Sequence, residues 1–177
     1  MSKRHGATSL IQYREMGYLP EAMFNFLALM GWSPEGEEQL LSPSEIARAF
    51  SLDRLAKSPA VFDMDKLNWI NQQYIKKLDS EELALKVRPF LDRSPYGEAI
   101  KEMDKDRYQL LIETLRDHLV SLSDICREVG VVFDELEYEE EALQVLKQEG
   151  TARILQILAD NFPDSDSPED IKQYLKA

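Results

Sequence analysis

At 177 residues with 44% hydrophobic side chains, the chain has enough apolar material for a real core, arranged as one to three small helical domains. Its formal charge of -12 taken globally argues against nucleic acid, no apolar run approaches the ~20 residues that cross a bilayer, and the N-terminus lacks the apolar stretch of a signal peptide. The single cysteine, Cys126, cannot form an internal disulfide, so the expected setting is a soluble protein of the reducing cytoplasm with Cys126 as a small buried hydrophobe. Seven glycines, abundant Leu, Glu, Lys, Ala and Gln, and apolar residues recurring every three or four positions predict an all-α protein.

The chain opens with Met1-Ser2-Lys3-Arg4-His5-Gly6, in which a hydroxyl, an ammonium and a guanidinium stand together in a form suited to gripping a polyphosphate. Without further context such a tail is an ordinary solvated terminus. A helix is expected from Ser9 to Met16, with Thr8 or Ser9 as its N-cap and Gly17 as its stop. Pro20 starts a second helix whose Met23, Phe24, Phe26, Leu27, Leu29 and Met30 make it apolar on most sides, predicting burial between other elements. Tyr18 and Trp32 are assigned to core or boundary packing. After a Pro, Gly and Glu-rich loop, Ser42-Pro43-Ser44-Glu45 has the form of an N-cap and first turn for a short helix to about Phe50. Ser58 to Asp63 is expected to be extended, as a possible short strand, because a residue before proline is pushed out of the helical region.

From Asp65 to Leu78 a helix places Leu67, Ile70, Tyr74 and Ile75 on one stripe, with Asn68, Asn71, Lys76 and Lys77 partly elsewhere. Composition shifts at Asp79-Ser80, where a first domain boundary is placed. Lys86 to Arg127 is charge-balanced and contains a helical pattern over Tyr108–Leu119 and a short helix over Ser121–Val129. Glu139, Glu140 and Glu141 are expected in the first turn of a helix continuing through Ala142, Leu143, Val145 and Leu146, where negative charge suits the helix dipole. With no histidine cluster beside them these carboxylates predict no metal site. Gly150 is expected to end that helix, Ala152 to Asn161 to form the next, and a last one to run from near Pro168 to Ala177 after a polar connection. The resulting organisation is 1–79, 80–134 and 135–177.

Charge is unevenly spread along this order. Residues 54–77 carry Arg54, Lys57, Lys66, Lys76 and Lys77 against Asp63 and Asp65, whereas from Val131 onward twelve acids face four bases. Phosphate contacts depend on the field within about a Debye length, ~8–10 Å, so an acidic chain can still present a basic track. Several enzyme classes lack their required pattern: there is no Gly-rich strand-to-helix fingerprint, no GxxxxGKS loop, no HExxH and no nucleophile elbow.

The stretch SKRHGATSLIQYREMGYLPEAMFNFLALMGW, from Ser2 to Trp32, resembles in order the signature loop and following helices of bacterial-type glutamyl-tRNA synthetases. That family's signature runs Lys, then Leu, Met or Ile, then Ser, Lys, and Arg or Ser. Met1-Ser2-Lys3-Arg4 matches its last four positions, without the leading lysine. Phe62 to Ile75 is also similar to the family, and the likeness continues more loosely to the end. On this resemblance the chain is expected to be a C-terminal piece that starts inside the catalytic signature and is cut again before further anticodon-binding structure.

The resemblance implies a stem-contact helical domain over 1–79, followed by a first anticodon-binding helical subdomain over 80–134 and the start of a second over 135–177. It implies that the parent enzyme attaches glutamate to tRNA(Glu) in an ATP-dependent two-step reaction through glutamyl-adenylate, with Mg2+ assisting the first step. Lys3, with Ser2 and Arg4, would close over the ATP phosphates. L-glutamate and ATP would bind only with the catalytic half, so no cofactor is expected on this chain alone, which should be inactive by itself and monomeric. Lys66, Asn71, Lys76 and Lys77 are candidates to approach the tRNA backbone. Arg116 and His118 stand where the family can read an anticodon base with an arginine, since a guanidinium both stacks and hydrogen-bonds. The histidine at 118 departs from that pattern and puts in doubt the discrimination between tRNA(Glu) and tRNA(Gln); a lone histidine near a helix end otherwise serves as a cap or dipole partner. The alternative to this reading is a free-standing helical module that binds a protein partner through its acidic end.

Overall fold

The computed structural model describes residues 9–36, 38–56, 61–134 and 138–162, which are helical with no named strand. The short strand expected over 58–63 is not formed where it can be followed: residues 58–60 lie outside the described set, and 61–63 have no strand pairing. Among the described residues one β-bridge joins Trp32 to Leu55. The helix expected beyond Pro168 also lies outside the described residues.

Helix starts follow local chemistry. Ser9 and Ser42 form capping boxes with Gln12 and Glu45, opening α1 (Leu10–Glu15) and α3 (Pro43–Ala49). α2 (Pro20–Gly31) begins on a proline, whose missing N–H is harmless in a first turn. Asp63 caps α4 (Met64–Lys77), Asp79 caps α5 (Ser80–Leu91) and Asp104 caps α7 (Lys105–Leu115), each accepting from a backbone N–H three residues on. α6 (Gly97–Glu102) lies between α5 and α7, and two 3-10 turns, Arg116–His118 and Leu122–Asp124, lead to α8 (Ile125–Glu128) and α9 (Gly130–Phe133).

Residues 9–134 belong to one compact unit. Its main core collects Phe26 of α2, Leu67, Ile70 and Ile75 of α4, Leu83 and Val87 of α5, Ile112 of α7 and Ile125 of α8, all essentially without solvent exposure. Each such side chain contributes roughly 1.5–3 kcal/mol by leaving water. Tyr18 and Trp32 are both buried, the latter in a smaller cluster with Leu41 and Ile46. The expectation that α2 is buried on most sides is corrected: Met23 and Phe26 are buried in the main core, and Ala28 and Leu29 pack against the smaller cluster, but Phe24 and Leu27 are 48% and 40% exposed on the side that neither covers among the described residues.

The second unit, from residue 135 on, contains α10 (Glu140–Leu146) and α11 (Thr151–Asn161). Gly150 does not terminate α10, which is capped at Lys147; with φ 93° it turns the chain into α11 as its N-cap residue. Glu140 and Glu141 occupy the first turn of α10, as the dipole argument requires. Leu143, Val145, Ile154, Leu155 and Ile157 are exposed within this unit.

Candidate nucleic-acid interface

The polar side chains of α4 divide into an inward set that holds the unit together and an outward set that faces solvent. Asn71 belongs to the first. It is fully buried, its Oδ1 accepts from Leu19 N at 2.9 Å, and its Nδ2 donates to Val120 O at 2.6 Å. Its assignment as a contact to the tRNA backbone is therefore corrected, because the amide is spent bridging the α1–α2 corner to the turn after α7. Beside it, Tyr18 Oη donates to Asn68 Oδ1 at 2.5 Å and Gln72 Nε2 donates to Asp117 O at 3.3 Å. Burial raises the Tyr18 phenol, with the charges of Tyr13 and Asp124 adding to the same direction.

The same corner meets the second 3-10 turn at Gly17. Its φ of 85° is in the left-handed region, and a Cβ there would stand 2.5 Å from Ser123 N and 2.7 Å from Leu122 N. Gly17 O accepts from Leu122 N at 2.9 Å, and Ser123 Oγ donates to Met16 O at 2.9 Å. The helix that follows the signature residues is thus tied directly to the segment after α7.

Arg116 also turns inward, which corrects its assignment as a base-reading residue. Its side chain is 11% exposed and forms an ion pair with Glu113, Nη2 to Oε2 at 2.6 Å, with Nε 3.1 Å from both Glu113 carboxylate oxygens. Nη1 donates to the carbonyls of Ile75, Lys76 and Leu78, and Nη2 also reaches Ser80 Oγ at 3.3 Å. A cation placed on the carbonyls at the end of α4 suits the negative pole of that helix. Hydrogen bonds from Arg116 and then Ser80 hold the Glu113 carboxyl below its ordinary range.

The outward set is what a polyanion can meet. Lys66, Trp69, Gln73, Lys76 and Lys77 are spaced along one side of α4, and Lys66 lies about 15 Å from Lys76 at 1.5 Å of rise per residue. Lys66 is half-buried, Lys76 and Lys77 are exposed, and Trp69 is 45% exposed. Lys76 Nζ pairs loosely with Asp117 at 3.4 Å, while Lys66 and Lys77 make no ion pair among the described residues. By contrast Arg88, Lys101, Lys105 and Arg107 are each matched to a carboxylate. His118 is exposed at the far end, in the turn that Arg116 begins. Trp69 was not among the residues that sequence reasoning selected; its position three residues after Lys66 and seven before Lys76 was the available signal.

Lys66 also stands at the mouth of a cleft of about 550 Å³ lined by Phe26, Leu29, Met30, Phe62 and Met64. Ser2, Lys3 and Arg4 lie outside the described residues. Among the described residues no three His, Cys, Asp or Glu side chains gather as a metal site, and no helix is long and apolar enough to cross a membrane. Cys126 is half-buried, and burial pushes its thiol up, away from thiolate chemistry.

Comparison with known proteins gives two family matches: an anticodon binding domain over residues 82–177, more than half of the chain, and the catalytic domain of class I tRNA synthetases (E and Q) over residues 1–69. A glutamate–tRNA ligase of Carboxydothermus hydrogenoformans is 42% identical over 186 residues, covering 99% of this chain and 38% of that protein. One from Bacillus subtilis is 38% identical over 170 residues, covering 94% of this chain and 35% of that protein. A crystal structure of a glutamate tRNA ligase from Elizabethkingia meningosepticum, in complex with its amino acid, superposes with a TM-score of 0.77 at 28% identity, over 93% of this chain and 32% of that chain. The chain thus spans a little over a third of the length of the curated relatives it matches.

Proposed function

We propose a function from the premise that the chain belongs to the anticodon binding domain family of the class I glutamyl-tRNA synthetases: it is the tRNA-docking portion of a glutamate–tRNA ligase. The observation that carries this reading is the division of α4, whose inward amides and arginine partners fix the unit while Lys66, Trp69, Lys76 and Lys77 face out. Lysines along a helix can track phosphates, and an exposed indole can stack on an unpaired base or a ribose face. Residues 1–79 form the stem-contact part and 80–134 and 135–177 two anticodon-binding subdomains, with His118 facing the anticodon end.

In the whole enzyme, glutamate is joined to tRNA(Glu) in two steps through glutamyl-adenylate, and charging assays on tRNA(Glu) and tRNA(Gln) decide whether the second is also a substrate. Lys3, with Ser2 and Arg4, holds the ATP phosphates, where positive charge stabilises departing pyrophosphate. Mg2+ assists that step in the family, and no described side chain of this chain is assigned to it. The enzyme works in the cytoplasm and the chain is a monomer, which size-exclusion chromatography with light scattering tests.

The direct test is titration of the 177-residue chain with a tRNA(Glu) transcript at a series of salt concentrations. Affinity that falls steeply with added salt is expected. Absent or salt-insensitive binding overturns the reading. The exposed Leu143, Val145, Ile154 and Ile157 beside an acidic first turn favour a second reading, a helical module for a protein partner. That reading requires binding to survive removal of the α4 lysines.

A further inference from the structure

Among the described residues, every lysine and arginine from 80 to 134 stands within ion-pair distance of a carboxylate except one. Arg88, Lys101, Lys105, Arg107 and Arg116 have theirs, Lys86 Nζ lies 3.3 Å from Glu82, and Arg127 Nη2 lies 2.6 Å from Glu128. The exception is Arg93, which is exposed. Asp92, the acid beside it in sequence, is taken by Arg88 at 2.8 Å. Across the packing, the Arg93 charge is felt at Cys126 of α8, where burial pushes the thiol up and Arg93 pulls it part of the way back, so this neighbour supplies no compensating charge.

Arg93 is unpaired but not loose. Its Nε donates to Pro89 O at 2.9 Å, and its guanidinium lies over the Phe90 ring, with Cζ 5.4 Å from the centroid and the ring itself packed against the main core. One edge and one face of the group are thereby fixed, while Nη1 and Nη2 have no hydrogen-bond partner among the described residues. A side chain that only satisfied a carbonyl at the end of α5 would need Nε alone. The two terminal nitrogens form a planar donor edge that matches two oxygens of a phosphate.

We propose that Arg93 is a phosphate-binding residue: the free Nη edge, held in place by Pro89 and Phe90, grips one phosphodiester of the tRNA backbone, as a contact additional to the lysines of α4. The proposal rests on the tRNA-docking reading for its ligand and on the hydrogen bond and ring contact of Arg93 for its geometry. Because the fork is already immobilised, little rotamer freedom is lost when it binds. Because it meets phosphate, the contact adds charge and register without reading sequence.

The test titrates the wild-type chain, R93Q, R93K and K101Q with a tRNA(Glu) transcript over a series of salt concentrations, with thermal unfolding followed by circular dichroism on each protein. R93Q should weaken binding at low salt and reduce the slope of log K against log salt by about one unit. R93K keeps the charge and loses the two-nitrogen edge, so it should keep the slope and bind more weakly than wild type. K101Q removes a cation already matched to Glu98 and should leave the slope unchanged. If R93Q lowers the unfolding midpoint but keeps the wild-type slope, Arg93 only closes the end of α5 and the proposal is overturned. An equal loss of slope in K101Q would point to the diffuse field of the surface rather than a held phosphate, and overturns it too. If the wild-type chain binds no tRNA, the docking reading itself fails and takes this ligand with it, an outcome distinct from wild-type binding that R93Q leaves unaltered.

Discussion

Asn71 was placed on the outward face of α4 by sequence reasoning because an asparagine in a helical pattern carries no sign of its depth. Its partners, Leu19 N and Val120 O, lie about fifty residues away on either side in sequence, so no local window contains them. Arg116 is the same case: three carbonyls of the α4 terminus and Ser80 converge on it from some forty residues upstream. Both are polar residues whose burial is decided by long-range geometry, and both were legible only as polar. N71A should leave a buried N–H and a buried carbonyl unpaired, costing on the order of 2–3 kcal/mol in urea unfolding. Glu113 carries a pH signature. Its carboxyl is depressed in the folded chain by Arg116 and Ser80, so its contribution to stability is present above the unfolded glutamate value of about 4.5 and is lost as pH falls through the lower folded value. Since this carboxylate is about half exposed, the effect is screened by solvent. E113Q should therefore flatten part of the acid limb of the stability curve, measured as unfolding midpoint against pH, while narrowing the difference from wild type below that window.

Helices were the most legible part of the chain, because their ends are written in short-range chemistry. Ser9, Ser42 and Asp79 sit where a capping side chain is needed, and the structure uses each of them. S42A should cost about 1 kcal/mol and fray α3, read by circular dichroism during thermal unfolding. Gly150 shows the limit of this chemistry, since a left-handed glycine between two helices serves equally as the end of one or the start of the next. The faces of α2 show another. Its composition is apolar nearly all round, but which apolar residues are covered depends on what packs against them, and Phe24 and Leu27 stay exposed among the described residues. Gly17 is where two elements meet most tightly. G17A forces an L-residue into φ 85° and drives a methyl into the backbone of Leu122 and Ser123, so about 2 kcal/mol or more of stability should be lost. Hydrogen exchange should then show the Leu122 amide, which donates to Gly17 O, losing protection ahead of the core of α4.

Across the molecule, the charge of -12 and the proposed affinity for a polyanion are reconciled by distribution. Arg88, Lys101, Lys105 and Arg107 are neutralised by neighbouring carboxylates, whereas Lys66 and Lys77 make no ion pair among the described residues and Lys76 is only loosely held. The contrast separates charge from stacking on a single helix. Counterion release makes the salt slope of tRNA binding report how many phosphates are neutralised, at about one unit per contact. Replacing Lys66, Lys76 and Lys77 together by glutamine should weaken binding at low salt and reduce that slope by about two to three units. W69A removes no charge, so it should weaken binding by about 1–3 kcal/mol with the slope unchanged, as expected for a lost stacking surface. Parallel lines for W69A and divergent lines for the triple-lysine variant, plotted as log K against log salt, are the expected pattern. If all three proteins shared one line, the outward face of α4 would not be where the nucleic acid lies, and the free lysines would be no more than a solvated helix side.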